Sequence, residues 1–149
     1  EIYAQGVNVF DTNYKKIPNT SPQKFETGFS NAFIKILQPI FDEGKAAING
    51  CIYCLAVDRN GYLPAHHKAV SQPMTGDPDV DLLNSRHQRI YFSNETEKKR
   101  ATHTQPMLLQ TYMRDTGEIL NDLSMPIYVN DRHWGALIVG LTPETLLQD

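Results

Sequence analysis

The sequence predicts an α+β domain: a five-stranded antiparallel sheet, a long N-terminal helix, and a helical excursion that covers a ligand pocket. Three observations predict it. Apolar residues recur at spacings of three and four from Phe25 to Ile40, which is the period of one helix face. Five stretches, CIYCLAVD, GYLPAHH, MLLQTYMRD, LSMPIYV and WGALIVGL, read as strands. A polar, irregular tract over 68–105 separates the second stretch from the third.

The chain has 149 residues, enough for one core and too few for two ordinary domains. The expected organisation is one domain over 1–149. Within it, 1–50 supplies a linker and helix, 51–141 the sheet with the pocket excursion 68–105, and 142–149 the start of a C-terminal helix. With 40% hydrophobic and 21% charged residues and a net charge of -3, the composition is globular. No basic block is present, so no nucleic-acid partner is expected. The longest apolar runs fall far short of the roughly 20 residues of a membrane span. The sequence opens without Met and without a signal-peptide pattern, so a piece of a longer protein is expected, with any anchor outside it.

Taken in order, EIYAQGVNVF reads as the end of a helix that began upstream, and DTNYKKIPNTSP as a turn-rich connection. Ser21-Pro22 is a helix-start signal, a capping side chain followed by proline at the first helical position. Phe25, Phe29, Phe33, Ile36, Leu37 and Ile40 then form one apolar face. Pro39 is expected to kink this helix or mark its last regular turn, and Asn49-Gly50 to end it. Asn60-Gly61 suits a tight hairpin after CIYCLAVD, because both residues tolerate positive φ. Pro64 has no amide hydrogen and places GYLPAHH at a sheet edge or breaks it early. A short helix is expected over 79–89. DTGE after Arg114 and NDRH before Trp134 are the turns joining the last three strands. Thr142-Pro143 reads as a second helix start.

Cys51 and Cys54 form a CxxC. Zinc needs about four ligands, and no second such pair is present. In a strand, positions three apart point to opposite faces, so these thiols are expected to pack as small apolar side chains. Unpaired thiols favour a reducing compartment.

No HExxH, P-loop, GxGxxG or GxSxG occurs, so no catalytic residue and no metal site is expected. DPDVD alternates acids like a calcium loop but lacks its glycine and distal glutamate. NSRHQRIYF carries Arg86 and Arg89 three apart. On one helical turn both guanidiniums point the same way, and two such forks in a partly dry cavity suit a carboxylate or phosphate. The alternative is a solvated face, or pairing with the acids of DPDVD. Tyr62, His66 and Tyr112 on neighbouring strands are candidates to add hydrogen bonds. EKKRATH is expected to face solvent, and Arg114-Asp115 to stabilise a hairpin corner. His133-Trp134 reads as the turn and entry of the last core strand. The five histidines, His66, His67, His87, His103 and His133, motivate a haem alternative.

DRNGY followed by PAH, TGD, RHQRIY, QPMLLQTYMRDTGE, DLSMPIYV and RHWGALIVG together resemble a PAS-like (Cache-type) sensor module of bacterial methyl-accepting chemotaxis proteins. The likeness runs from Ile2 to Leu141. It implies a non-enzymatic sensory domain with a five-stranded antiparallel sheet, a pocket over the sheet and an N-terminal helix leading to the signalling part. Members of such families bind small organic ligands, often anionic, and some PAS relatives bind haem or flavin. The CxxCH of covalent haem is absent, since Leu55 follows Cys54. The resemblance implies a homodimer, a small-molecule ligand such as a carboxylate, and the rest of the receptor and its signalling machinery as partners. The alternatives are a haem-binding gas or redox sensor and a ligand-free dimerisation module. The cytoplasmic side is favoured, with related Cache domains periplasmic.

Overall fold

A computed structural model describes residues 6–147. Among them the order is β1 (Lys15–Lys16), β2 (Phe25–Glu26), α1 (Ser30–Ala47), β3 (Cys51–Asp58), β4 (Tyr62–Leu63), α2 (Pro78–Asn84), β5 (Arg89–Ile90), α3 (Glu95–Thr102), β6 (Leu108–Met113), β7 (Ile119–Val129) and β8 (Arg132–Leu141), with short 3-10 turns at Lys68–Val70 and Pro143–Leu147. The fold is α+β. Its central sheet is antiparallel, with strand order β3-β8-β7-β6.

This sheet has four strands rather than five. GYLPAHH keeps only two residues in β4, which pair with β5 and not with β3. The strand stops before Pro64, as a residue without an amide hydrogen requires. The turn signals act where the sequence puts them. Gly61 takes φ 76° and donates to the Asp58 carbonyl. Asn130 and Asp131 both take positive φ between β7 and β8, the two-residue hairpin turn that favours such residues.

The N-terminal helix starts nine residues after Ser21, at Ser30, and Ser21-Pro22 is instead a cis peptide in the preceding loop. The reason is non-local. Ile17 donates to the Lys24 carbonyl and Phe25 to the Gln88 carbonyl, so the backbone of this segment is spent on extended pairing. Buried Lys24 adds a tie from its Nζ to the His87 carbonyl at 2.5 Å. The buried face of α1 is therefore Phe33 and Phe41, with Ile34 and Leu37 packed beside them, while Ile40 is exposed. The helix runs on through Pro39 to Ala47. Pro39 is exposed, where water can satisfy the carbonyl its ring leaves free. The upstream helix expected over 1–10 falls partly outside the described residues, and Val7 to Phe10 is not helical.

The thiols share a face, contrary to simple alternation. Cys51 pairs with Leu141 and Tyr53 with Gly140, so two β3 residues oppose one of β8. This bulge returns Cys51 to the side of Cys54, Val139 and Leu141. Both cysteines are free. Helix α1 lies along β3, with Gly44 against the Cys54 thiol, where an added Cβ would come within 3.0 Å of Sγ.

The main core holds Phe29, Phe33, Leu55, Val57, Tyr62, Tyr112, Leu120, Trp134 and Ile138. Met107, Leu109, Met113 and Ile119 stay exposed, three of them on the β6–β7 face opposite Tyr112. Among the described residues no helix is long and apolar enough to cross a membrane.

Candidate functional site

Helix α2 ends at Asn84, so Arg86 and Arg89 do not share a helical turn. They converge by another route. Gln88 takes φ 60°, a left-handed kink that lets the chain enter β5. Arg86 and Arg89 are both buried, and one carboxylate, Asp115, bridges them. Its Oδ1 accepts from Arg86 at 2.8 Å and its Oδ2 from Arg89 at 2.9 Å. Both guanidiniums lie over the Tyr91 ring, at 5.8 and 4.8 Å, a favourable setting for a cation. The Tyr91 hydroxyl donates to the Arg86 carbonyl.

Beside them is a small cavity lined by Tyr53, Leu55, Leu63, His66, Arg86, Tyr91, Arg100, Tyr112, Arg114 and Ile138. Three guanidiniums and three phenol rings meet there, largely stacked in pairs. Arg100 lies 4.6 Å from the Tyr112 ring centre and Arg114 5.4 Å from that of Tyr53. Arg100 comes from EKKRATH, the stretch expected to face solvent. In α3 it is buried instead, and pairs with Asp122 of β7 at 3.1 Å. Burial works against its charge, and Asp122, with Tyr53 and Tyr112, more than offsets this and raises its pKa. Tyr53 also donates to Asp122, and Tyr112 to Glu97 at 2.6 Å.

Three of the five predicted ligand contacts, Arg86, His66 and Tyr112, line this cavity. Arg89 stands behind it, on Asp115 and Tyr91. Tyr62 lies elsewhere, fully buried, its hydroxyl within 2.7 Å of Ser30 Oγ and donating to the Phe25 carbonyl. Sequence reasoning missed Arg100, Arg114, Tyr53, Tyr91 and the bridging role of Asp115. Only RIY, a tyrosine two residues after Arg89, carried a local signal.

The cavity is polar but incompletely paired. On its wall Arg86 Nε and Arg100 Nε are buried without a hydrogen-bond partner, as are Arg89 Nη1 and Asp122 Oδ1 outside the wall. Burial alone would raise the Asp115 carboxyl, but Arg86 and Arg89 hold it below the usual carboxylate range. His66 is pushed well below the usual imidazole value, first by burial and then by Arg86, so at neutral pH the cavity's cations are its arginines. The acids of DPDVD are used locally: Asp77 caps α2, and Asp81 accepts from Thr75 and Gly76.

The histidines also set the acid response. Burial, then Lys24, lowers His87 to about 4, and burial lowers His66 and His67 in the same direction. A histidine with a depressed folded pKa stays neutral in the fold while the unfolded chain protonates near ~6.5. Its contribution is therefore present above that pH and lost as pH falls toward the folded value. Urea midpoints are expected to drop between pH 6.5 and about 4, with a shallower drop for His87→Asn. A flat wild-type profile over that window would contradict the assignment.

Compared with known proteins, the chain matches no family model, no curated protein and no solved structure.

Proposed function

We propose that this chain is the sensory domain of a methyl-accepting chemotaxis receptor, a PAS/Cache-type module that takes the anionic group of a small organic molecule at the Arg86 cavity. The observation that carries this reading is the set of buried guanidinium donors without partners, at Arg86, Arg89 and Arg100. Buried donors are nearly always paired in native structures, and a ligand anion is a suitable partner for guanidinium. The motif resemblance supports the receptor assignment.

A sensor also needs a route out. His66 lines the cavity, and its carbonyl accepts from Gln38 of α1 at 3.1 Å. The next residue, His67, pairs with Asp42 of α1 at 2.7 Å. Ligand binding shifts a conformational balance only by its preference for one state, and these bonds couple the cavity wall to α1. A homodimer belongs to this reading, with Met107, Leu109, Met113 and Ile119 supplying exposed apolar surface. So does placement on the cytoplasmic side of the receptor.

A thermal-shift screen of small organic acids tests the reading. An acid at a hundredfold its Kd contributes about 2.7 kcal/mol, which for a chain of this length raises Tm by roughly 5–10 °C. Arg86→Ala is expected to abolish that shift. An equal shift in the variant would remove the site from Arg86.

A further inference from the structure

The cavity has a free volume of about 20 Å³, room for one water, which needs roughly 10–15 Å³. No organic acid enters it in this form. Against it lies a cleft of about 360 Å³ that shares His66, Arg86 and Arg114 with the cavity. Thr116 and Glu118 of the β6–β7 hairpin line that cleft. The partition between the two spaces is therefore Arg86, His66 and Arg114, with the hairpin standing on its cleft side.

The hairpin tip, residues 115–118, is exposed throughout. Its own bonds run from the Arg114 and Gly117 amides to the Glu118 and Arg114 carbonyls, both at 2.9 Å, and from the Arg114 guanidinium to Glu118 at 3.0 Å. What ties the tip to the excursion is Asp115, with one oxygen on Arg86 and the other on Arg89. That is the geometry of a carboxylate shared between two guanidiniums, supplied by the chain itself.

We infer that Asp115 is a built-in stand-in for the ligand's carboxylate. A carboxylate-bearing molecule arriving through the cleft takes its place on Arg86 and Arg89, the hairpin lifts, and cavity and cleft merge. This rests on the reading of the cavity as an anion site. The exchange needs a true anion, because two buried guanidiniums left without a counter-charge are strongly destabilising. One carboxylate replaces another at little cost at the cradle, so selectivity comes from how the rest of the ligand fills the merged space. The two states differ in hairpin position, which gives the ligand the state preference that signalling requires.

Succinate, with succinamide as neutral control at constant ionic strength, is the probe for the intact chain. Asp115→Asn removes the internal competitor and is expected to bind succinate at least about tenfold more tightly, within the usual range of coupling between two sites. Succinamide is expected to bind neither form. In the wild type, succinate is expected to speed hydrogen exchange at the Arg114 and Gly117 amides, a readout that does not depend on the variant folding. Succinate binding only to the variant supports the inference. Equal or weaker binding by the variant, or unchanged or slower exchange on succinate binding, overturns the displacement while leaving the anion site standing. Binding by neither form, or binding of inorganic phosphate in succinate's place, overturns the carboxylate assignment itself.

Discussion

Asp122→Ala is expected to destabilise the chain by about 3–5 kcal/mol, the usual cost of removing one partner from a buried ion pair. Asp122 is fully buried and Arg100 nearly so, at 3.1 Å from each other. The variant leaves a guanidinium with no counter-charge between α3 and β7, and also removes the acceptor of the Tyr53 hydroxyl. The pair's net contribution is much smaller than this cost, because burial works against both charges. The double variant Arg100→Met with Asp122→Leu should therefore recover most of the loss. Urea midpoints at unchanged slope are the measurement. A single-variant loss under about 1 kcal/mol would mean that water reaches this pair.

Trp134→Ala is expected to cost about 3–5 kcal/mol, the range for truncating a buried aromatic. The indole is stacked on Phe33 at 5.3 Å between ring centres and edge-on to Phe29 at 6.4 Å. It joins the first turn region of α1 to β8. Its Nε1 donates to the Val9 carbonyl at 2.8 Å, so truncation also releases the N-terminal arm. Trp134→Phe keeps much of the ring contact and loses that bond, which by itself contributes about 0.5–1.5 kcal/mol. Circular dichroism suits both variants, since Trp134 is the only tryptophan. Equal losses in the two would show that the bond to Val9, and not the packing, dominates.

What the sequence revealed was local. Asn60-Gly61 and Asn130-Asp131 bend the chain where they stand, because their φ angles are properties of the residues themselves. β3, β6, β7 and β8 are legible as apolar runs between those turns. The rest depends on partners far along the chain. Phe25 looks helical by spacing, yet its amide is held by Gln88 in the excursion. EKKRATH reads as a solvated helix face, because the partner of Arg100 is 22 residues away on β7. Arg86 and Arg89 read as neighbours on one helical turn, yet they meet through Asp115, 29 and 26 residues downstream. The pair was readable as residue types, but the carboxylate that joins them was not. The alternation rule for Cys51 and Cys54 failed at a one-residue bulge, which leaves no mark in composition.

His67 sits between the helix and the sheet edge. Its Nε2 accepts from the Cys54 amide at 3.1 Å, and a backbone amide can only donate. The ring proton must then lie on Nδ1, directed at Asp42. The imidazole is thus locked in a single tautomer by two elements at once, β3 on one nitrogen and α1 on the other. A rotation of α1 that withdraws Asp42 removes the reason for that choice, while the Cys54 amide stays where the sheet holds it. The nitrogen chemical shifts of one ring are therefore a spectroscopic gauge of the helix's seating on the sheet, placed one residue from the cavity wall and independent of knowing what the cavity binds.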